Sequence, residues 1–155
     1  MTLFRALAAL LLLLPAACQA GSRDVTQAAS GLSVVGLDIR SGDGKVHSFQ
    51  VEVARSESEQ ARGLMFRGAL AADAGMIFPM SPPRPASFWM KNTIIPLDMI
   101  FVRPDGTIAR IAAETVPYSL EPVDSGEPVS AVLEIAGGRA AELGISEGDK
   151  VHWPR

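Results

Sequence analysis

Apolar and polar positions divide most of this chain into short strands. Residues 32–39 and 46–53 are aliphatic, β-branched stretches separated by Ser41-Gly42-Asp43-Gly44, a hairpin signal. In the second stretch Val46, Ser48, Gln50 and Glu52 share one face and His47, Phe49, Val51 and Val53 the other, following the two-residue period of a strand. Residues 75–78, 107–113, 129–135 and 150–153 read as further strands. Ser56-Glu57-Ser58-Glu59 is a capping box that opens a helix of about two turns through Arg62 and stops near Gly63. Residues 138–143 read as a second short helix closed by Gly144. The four prolines at 79, 82, 83 and 85 exclude both helix and central strand. Arg103-Pro104-Asp105-Gly106 is a turn, and residues 115–128, with Pro117, Pro122 and Pro128, read as a long irregular loop. These elements predict an α+β fold: a mainly antiparallel, compact, barrel-like sheet with two or three short helices.

The most informative stretch is 88–102, Phe-Trp-Met-Lys-Asn-Thr-Ile-Ile-Pro-Leu-Asp-Met-Ile-Phe-Val. A strand buried on both faces has no use for Lys91 or Asp98, and a solvated hairpin tip has no use for Ile94 and Ile95. The pattern predicts two short strands joined by a partly apolar lip, with polar groups where the strands meet it. A binding cleft has this appearance in sequence.

The first twenty residues change the picture from fold to compartment. Met1–Ala20 carries one cation, Arg5, then an apolar block from Ala6 to Leu14, then small residues around Cys18. This is the layout of a bacterial secretory signal peptide, and the apolar block is shorter than the about 20 residues a membrane-spanning helix needs. The expectation is an exported, periplasmic protein. Cys18, the sole cysteine, lies inside the processing zone: either it leaves with the leader, or Pro15-Ala16-Ala17-Cys18 is a lipoprotein box and Cys18 becomes a lipidated first residue. Residues 21–31 read as a flexible tether and 32–155 as one domain. The full chain has 14 basic and 17 acidic side chains, a net charge of −3, with no basic run. Nucleic acid is therefore a poor partner, and a membrane is reached only through the leader or a lipid anchor. The chain reads as a monomer that needs no cofactor.

Several chemistries can be weighed on residue type and spacing. Gly144-Ile145-Ser146-Glu147-Gly148 matches a Gly-x-Ser-x-Gly pattern, but a nucleophile elbow needs a strand before its serine and a helix after it. Here the order is reversed, which leaves a tight turn. His47 and His152 lie outside any zinc-ligand spacing. Five of six methionines fall between residues 65 and 99, and thioethers select Cu(I); Met65, Met76, Met80 and Met90 form the candidate set, against an ordinary role as core filler. The polar constellation Arg62, Arg67, Asp73, Lys91, Asn92, Asp98, Glu114 and Glu134 lies among large apolar residues. One reading makes these groups ion pairs and caps that tie loops to the barrel. The other gathers Arg62, Arg67, Asp73, Trp89, Lys91, Asn92 and Asp98 into a cleft for a small polar or anionic ligand, with Asp98 orienting Lys91. A cofactor-free enzyme using Asp98 or Glu114 is an alternative, as is a partner surface on the proline-rich 79–85 segment.

Three motifs in order then bring a family into view: Arg62-Gly63-Leu64-Met65-Phe66-Arg67, Asp73-x-Gly75-Met76-Ile77-Phe78, and Phe88-Trp89-Met90-Lys91-Asn92-Thr93-x-Ile95-Pro96-Leu97-Asp98. With Val132-Leu133-Glu134, Gly137-Gly138 and Gly144-x-x-x-Gly148-Asp149, they resemble domain of unknown function 192 over about residues 45–153. Met80 departs from the pattern, which has an aromatic residue there. The resemblance implies a small β-rich domain with short helices, often exported or membrane-tethered, and carries no catalytic or ligand role to any residue. The function expected is a non-enzymatic periplasmic binding or accessory module with a cleft near 88–98.

Overall fold

The computed structural model describes residues 26–27 and 30–154. The leader, Cys18 and most of the tether lie outside the described residues. Among the described residues, eight strands and two helices follow in the order β1 (Thr26–Gln27), β2 (Ser33–Arg40), β3 (Val46–Val53), α1 (Glu57–Arg62), β4 (Ala74–Phe88), β5 (Leu97–Val102), β6 (Ile108–Thr115), β7 (Val123–Ala136), α2 (Arg139–Leu143) and β8 (Lys150–His152). The sheet order is β1-β2-β3-β4-β7-β5-β6, with β8 also on β2. All pairings are antiparallel except β3 with β4, which α1 connects. The α+β, mainly antiparallel expectation holds, with two helices.

β8 makes the sheet curl. It pairs with β2 through Ile39 and Val151, and it also meets the start of β6, where Ile108 N donates to Asp149 O at 2.8 Å and Val151 N to Gly106 O at 2.8 Å. Strands far apart in sheet order thus approach each other across one short strand. Two apolar cores result. The first includes Leu37, Ile39, Phe49, Val51, Ile77, Ile100, Leu133 and Trp153; the second includes Leu64, Met76, Phe78, Met80, Met90, Met99, Phe101 and Val132. Alternate residues of β4, β5 and β7 feed one core or the other, so β5 and the stretches 75–78 of β4 and 131–135 of β7 are buried on both faces.

Local chemistry accounts for the elements. Ser56 caps α1, its hydroxyl accepting from Glu59 N at 3.2 Å while the Glu59 carboxylate takes Ser56 N at 2.7 Å. The predicted hairpin after β2 is present, with Gly44 N donating to Ser41 O at 2.8 Å.

Some expectations need correction. The strand predicted at 75–78 does not end there: β4 runs on through all four prolines as an edge strand, neither helix nor central strand, paired with β7 across two register shifts. Its pairing with β3 ends at Ile77, so beyond that point β4 has β7 on one side only, and a proline's missing N–H costs no ladder bond on the open side. Extended β4 draws out β7, which begins at Val123 and shortens the predicted 115–128 loop. The 88–102 segment contains one strand, β5, because Phe88 ends β4 and residues 89–96 form the lip. Within the expected tether, Thr26–Gln27 pair with Val34 and Ser33.

Candidate functional site

A cavity of about 370 Å³ opens over the second core. One wall comes from α1 and the turn after it, Gln60 to Met65; the other from Met80 and residues 84–89; Thr93 closes one side, and Phe78 and Glu134 come from the sheet beneath. The volume is at the small end of ligand sites. The capping box fixes the first turn of α1, which carries Gln60 and Arg62 to the wall. Gln60 anchors that wall, its amide nitrogen donating to Ala54 O at 3.1 Å and Pro79 O at 3.0 Å. Phe78 and Phe88 meet edge to face at 5.1 Å between centroids. The lip is held by backbone bonds from Phe66 N to Asn92 O at 2.9 Å and from Tyr118 N to Thr93 O at 3.1 Å.

Glu134 is the chemical centre of this cavity. It is 5 % exposed, lies in β7 opposite Met76 on one side and Met99 on the other, and has no hydrogen-bond or ionic partner among the described residues. Burial pushes its pKa from 4.5 up to about 8, so at neutral pH it is held as the neutral acid. Arg62 and Arg84, the other charged residues of the lining, are exposed and make no ion pair among the described residues.

The residues expected in the cleft divide sharply. Arg62 and Trp89 line the cavity. Arg67 is outside it, paired with Glu52 through a two-pronged contact (Nη2 to Oε2 2.8 Å), and Ser30 also donates to Glu52. Burial raises the Glu52 pKa, but the hydrogen bonds from Arg67 and Ser30 outweigh it and the net shift is downward. A second, broader depression of about 1010 Å³ runs past this pair, where the Glu52 and Glu59 carboxylates already have partners. Asp73 is exposed, outside both hollows. Lys91 is exposed, its ammonium 5.1 Å from the Trp89 ring centre, and it does not line the cavity. Asn92 shapes the lip with a left-handed backbone, φ 56°, and its amide lies 3.8 Å from the Met65 sulfur.

Asp98 does not orient Lys91. It is fully buried and accepts three backbone bonds: from Glu114 N at 2.8 Å, Gly138 N at 2.9 Å and Ala140 N at 2.8 Å. It ties the entry of α2 to the end of β6. Glu114, the other carboxylate expected to act, is exposed and outside both hollows. Of the four candidate copper ligands only Met65 and Met80 line the cavity; Met76 and Met90 are buried, and the Met90 sulfur accepts from Thr115 Oγ1 at 3.1 Å. Sequence reading placed Glu134 in the wider polar constellation but not in the cleft, and it missed Arg84, Gln60 and Thr93. The available signal was a lone carboxylate inside Ala131-Val132-Leu133-Glu134-Ile135.

These features define a small β-rich domain with a carboxyl-floored cavity on the outer face of a curled sheet. The chain belongs to the domain of unknown function 192 family, described as an uncharacterized ACR, whose model matches residues 39–153. A protein of unknown function from Novosphingobium aromaticivorans DSM 12444 is similar at 48 % identity and TM-score 0.80, over 90 % of this chain and 99 % of that one. A protein of Sinorhizobium meliloti 1021 designated a putative transcription regulator is similar at 40 % identity and TM-score 0.77, over 79 % of this chain and 95 % of that one. No curated protein matches.

Proposed function

We propose that this protein is a non-enzymatic binding module, exported from the cell, which holds a small ligand in the cavity between α1 and the 84–89 segment. One observation carries the reading: a buried carboxyl without a partner lines a hollow with room for a guest. Structural carboxylates of this chain look different, since Asp98 and Glu52 have their oxygens engaged by N–H and O–H groups. A buried acid left unpaired is costly to stability, and a ligand that completes its bonding gives it a use. Export rests on the leader-like layout of residues 1–20. Nucleic acid is not proposed as a partner, because the chain is net acidic without a basic run.

Thermal-shift screening of the purified protein against sugars, organic acids, amino acids and metal ions tests the reading. The expected result is stabilisation by one class, lost in Glu134→Gln and weakened in Arg62→Gln, with Lys91→Ala behaving as wild type because Lys91 lies outside the lining. No shift from any class would remove the small-ligand reading. The same acid supports a second reading, a cofactor-free enzyme in which Glu134 transfers the proton, since a carboxyl poised near neutrality suits that role. Chemical change in a bound compound, followed by NMR, would favour it.

A further inference from the structure

We infer that the cavity takes a small zwitterion, a free α-amino acid with an apolar side chain, its ammonium against Glu134 and its carboxylate against Arg62 and Arg84. The inference rests on the binding-module reading and adds the ligand class. Its basis is the set of unengaged acceptors and donors that the lining residues bring to one hollow. At the floor, Glu134 offers two oxygens. Both amide-nitrogen bonds of Gln60 go to backbone carbonyls, so its Oε1 is left as the acceptor. Thr93 is buried and donates only a 3.4 Å bond to Lys91 O, so its hydroxyl oxygen also remains an acceptor. An ammonium brings three donors and no acceptor, the complement of that set. At the mouth, the guanidinium groups of Arg62 and Arg84 face solvent unpaired among the described residues, and guanidinium matches a carboxylate. Leu64, Met65, Met80, Phe88 and Trp89 form apolar walls for a side chain.

Proton balance separates this ligand from its rivals. Before a ligand binds, the Glu134 carboxyl is protonated at neutral pH, and its flanking cross-strand residues, Met76 and Met99, carry no charge. Among the described residues, the other ionisable groups lining the cavity are Arg62, from α1, and Arg84, from β4. An incoming ammonium keeps its own proton, forms an ion pair with the carboxylate, and the Glu134 proton passes to the buffer. Binding near neutral pH therefore releases close to one proton per ligand.

The test is calorimetric titration of the full chain with L-leucine, L-methionine and L-phenylalanine, repeated in phosphate and Tris to count protons. 3-Methylbutylamine and 4-methylpentanoate serve as leucine without its carboxylate and without its ammonium. The expected result is binding of the amino acids at least about tenfold tighter than either analogue, with proton release. Glu134→Gln, with its fold checked by circular dichroism, weakens binding by about tenfold or more and abolishes proton release. Arg62→Gln/Arg84→Gln, at exposed positions, weakens amino-acid binding and leaves the amine unaffected. Tight binding of 4-methylpentanoate without proton release would overturn the inference in favour of an anion held by the neutral acid, with the binding module intact. Binding of a compound outside these three classes, with no response to amino acids, would likewise overturn the ligand class alone. Silence toward every class in the screen would overturn the binding-module reading itself.

Discussion

At the scale of single residues, two buried carboxyls give opposite instructions to an experiment. Asp98 is an acceptor for three N–H groups: Oδ1 takes Glu114 N and Gly138 N, and Oδ2 takes Ala140 N. Asp98→Ala leaves three donors without that acceptor and is expected to cost roughly 3 to 5 kcal/mol of unfolding free energy by urea titration. Asp98→Asn keeps an oxygen for two of them and should cost about half as much; a neutral Asp98→Ala would show that the three donors find water instead. Glu134 has no such partners, and its pKa is raised to about 8. Between its ordinary 4.5 and about 8 the unfolded chain gives up a proton that the folded protein retains. Stability is thus highest with respect to this group below that window, falls by up to about 1.4 kcal/mol per pH unit across it, and levels off above it. In Glu134→Gln that slope vanishes, so urea midpoints of wild type and variant diverge in the variant's favour as pH rises; parallel curves would mean that Glu134 ionises normally in the fold. In sequence both residues look alike, a lone acid in an apolar strand. What separates them is the presence of N–H groups that for Asp98 come from 16, 40 and 42 residues away. That is why the sequence pointed toward both but put Asp98 in the cleft.

At the scale of elements, the cavity depends on how closely β4 approaches β7. Gly75 lies opposite Ile135, and a Cβ there would come within 2.6 Å of the Glu134 carbonyl oxygen. Gly75→Ala must push the two strands apart beside the Glu134 position. It is expected to lower stability by roughly 1 to 3 kcal/mol and to impair ligand binding beyond that, seen as a fall in both melting temperature and ligand-induced shift. Unchanged melting would mean that the ladder yields without strain. α1 was legible to the residue because a capping box is a short-range code: Ser56 and Glu59 satisfy each other's backbone neighbours three positions apart. β4 was not. The rule against proline in strands assumes a partner on both sides, and nothing local announces that β3 stops pairing at Ile77. The same blindness truncated β7, whose first residues extend only because the proline half of β4 is there to receive them.

Across the whole molecule, alternation in β4, β5 and β7 places the two cores back to back on shared strands. Ile77, Ile100 and Leu133 face one; Met76, Met99 and Val132 face the other. A barrel-like sheet was readable from strand number and turn spacing, but this sharing follows from sheet order, which the sequence does not display. It has a consequence for cooperativity. Neither core can be dismantled without exposing the reverse face of the same three strands, so the domain should unfold in one step, cavity included. The two tryptophans report on its halves: Trp153 is 5 % exposed within the first core, and Trp89 is 50 % exposed at the cavity mouth. Trp153→Phe leaves Trp89 as sole emitter, and Trp89→Phe leaves Trp153. In urea, the fluorescence midpoint of each variant is expected to coincide with its own far-ultraviolet circular dichroism midpoint. An earlier transition at Trp89 alone would show that the lip opens as a separate unit, and ligand affinity would then include the free energy of ordering it. Coincidence in both variants would mean that the cavity is as firmly built as the sheet beneath it, and that a ligand enters a preformed site.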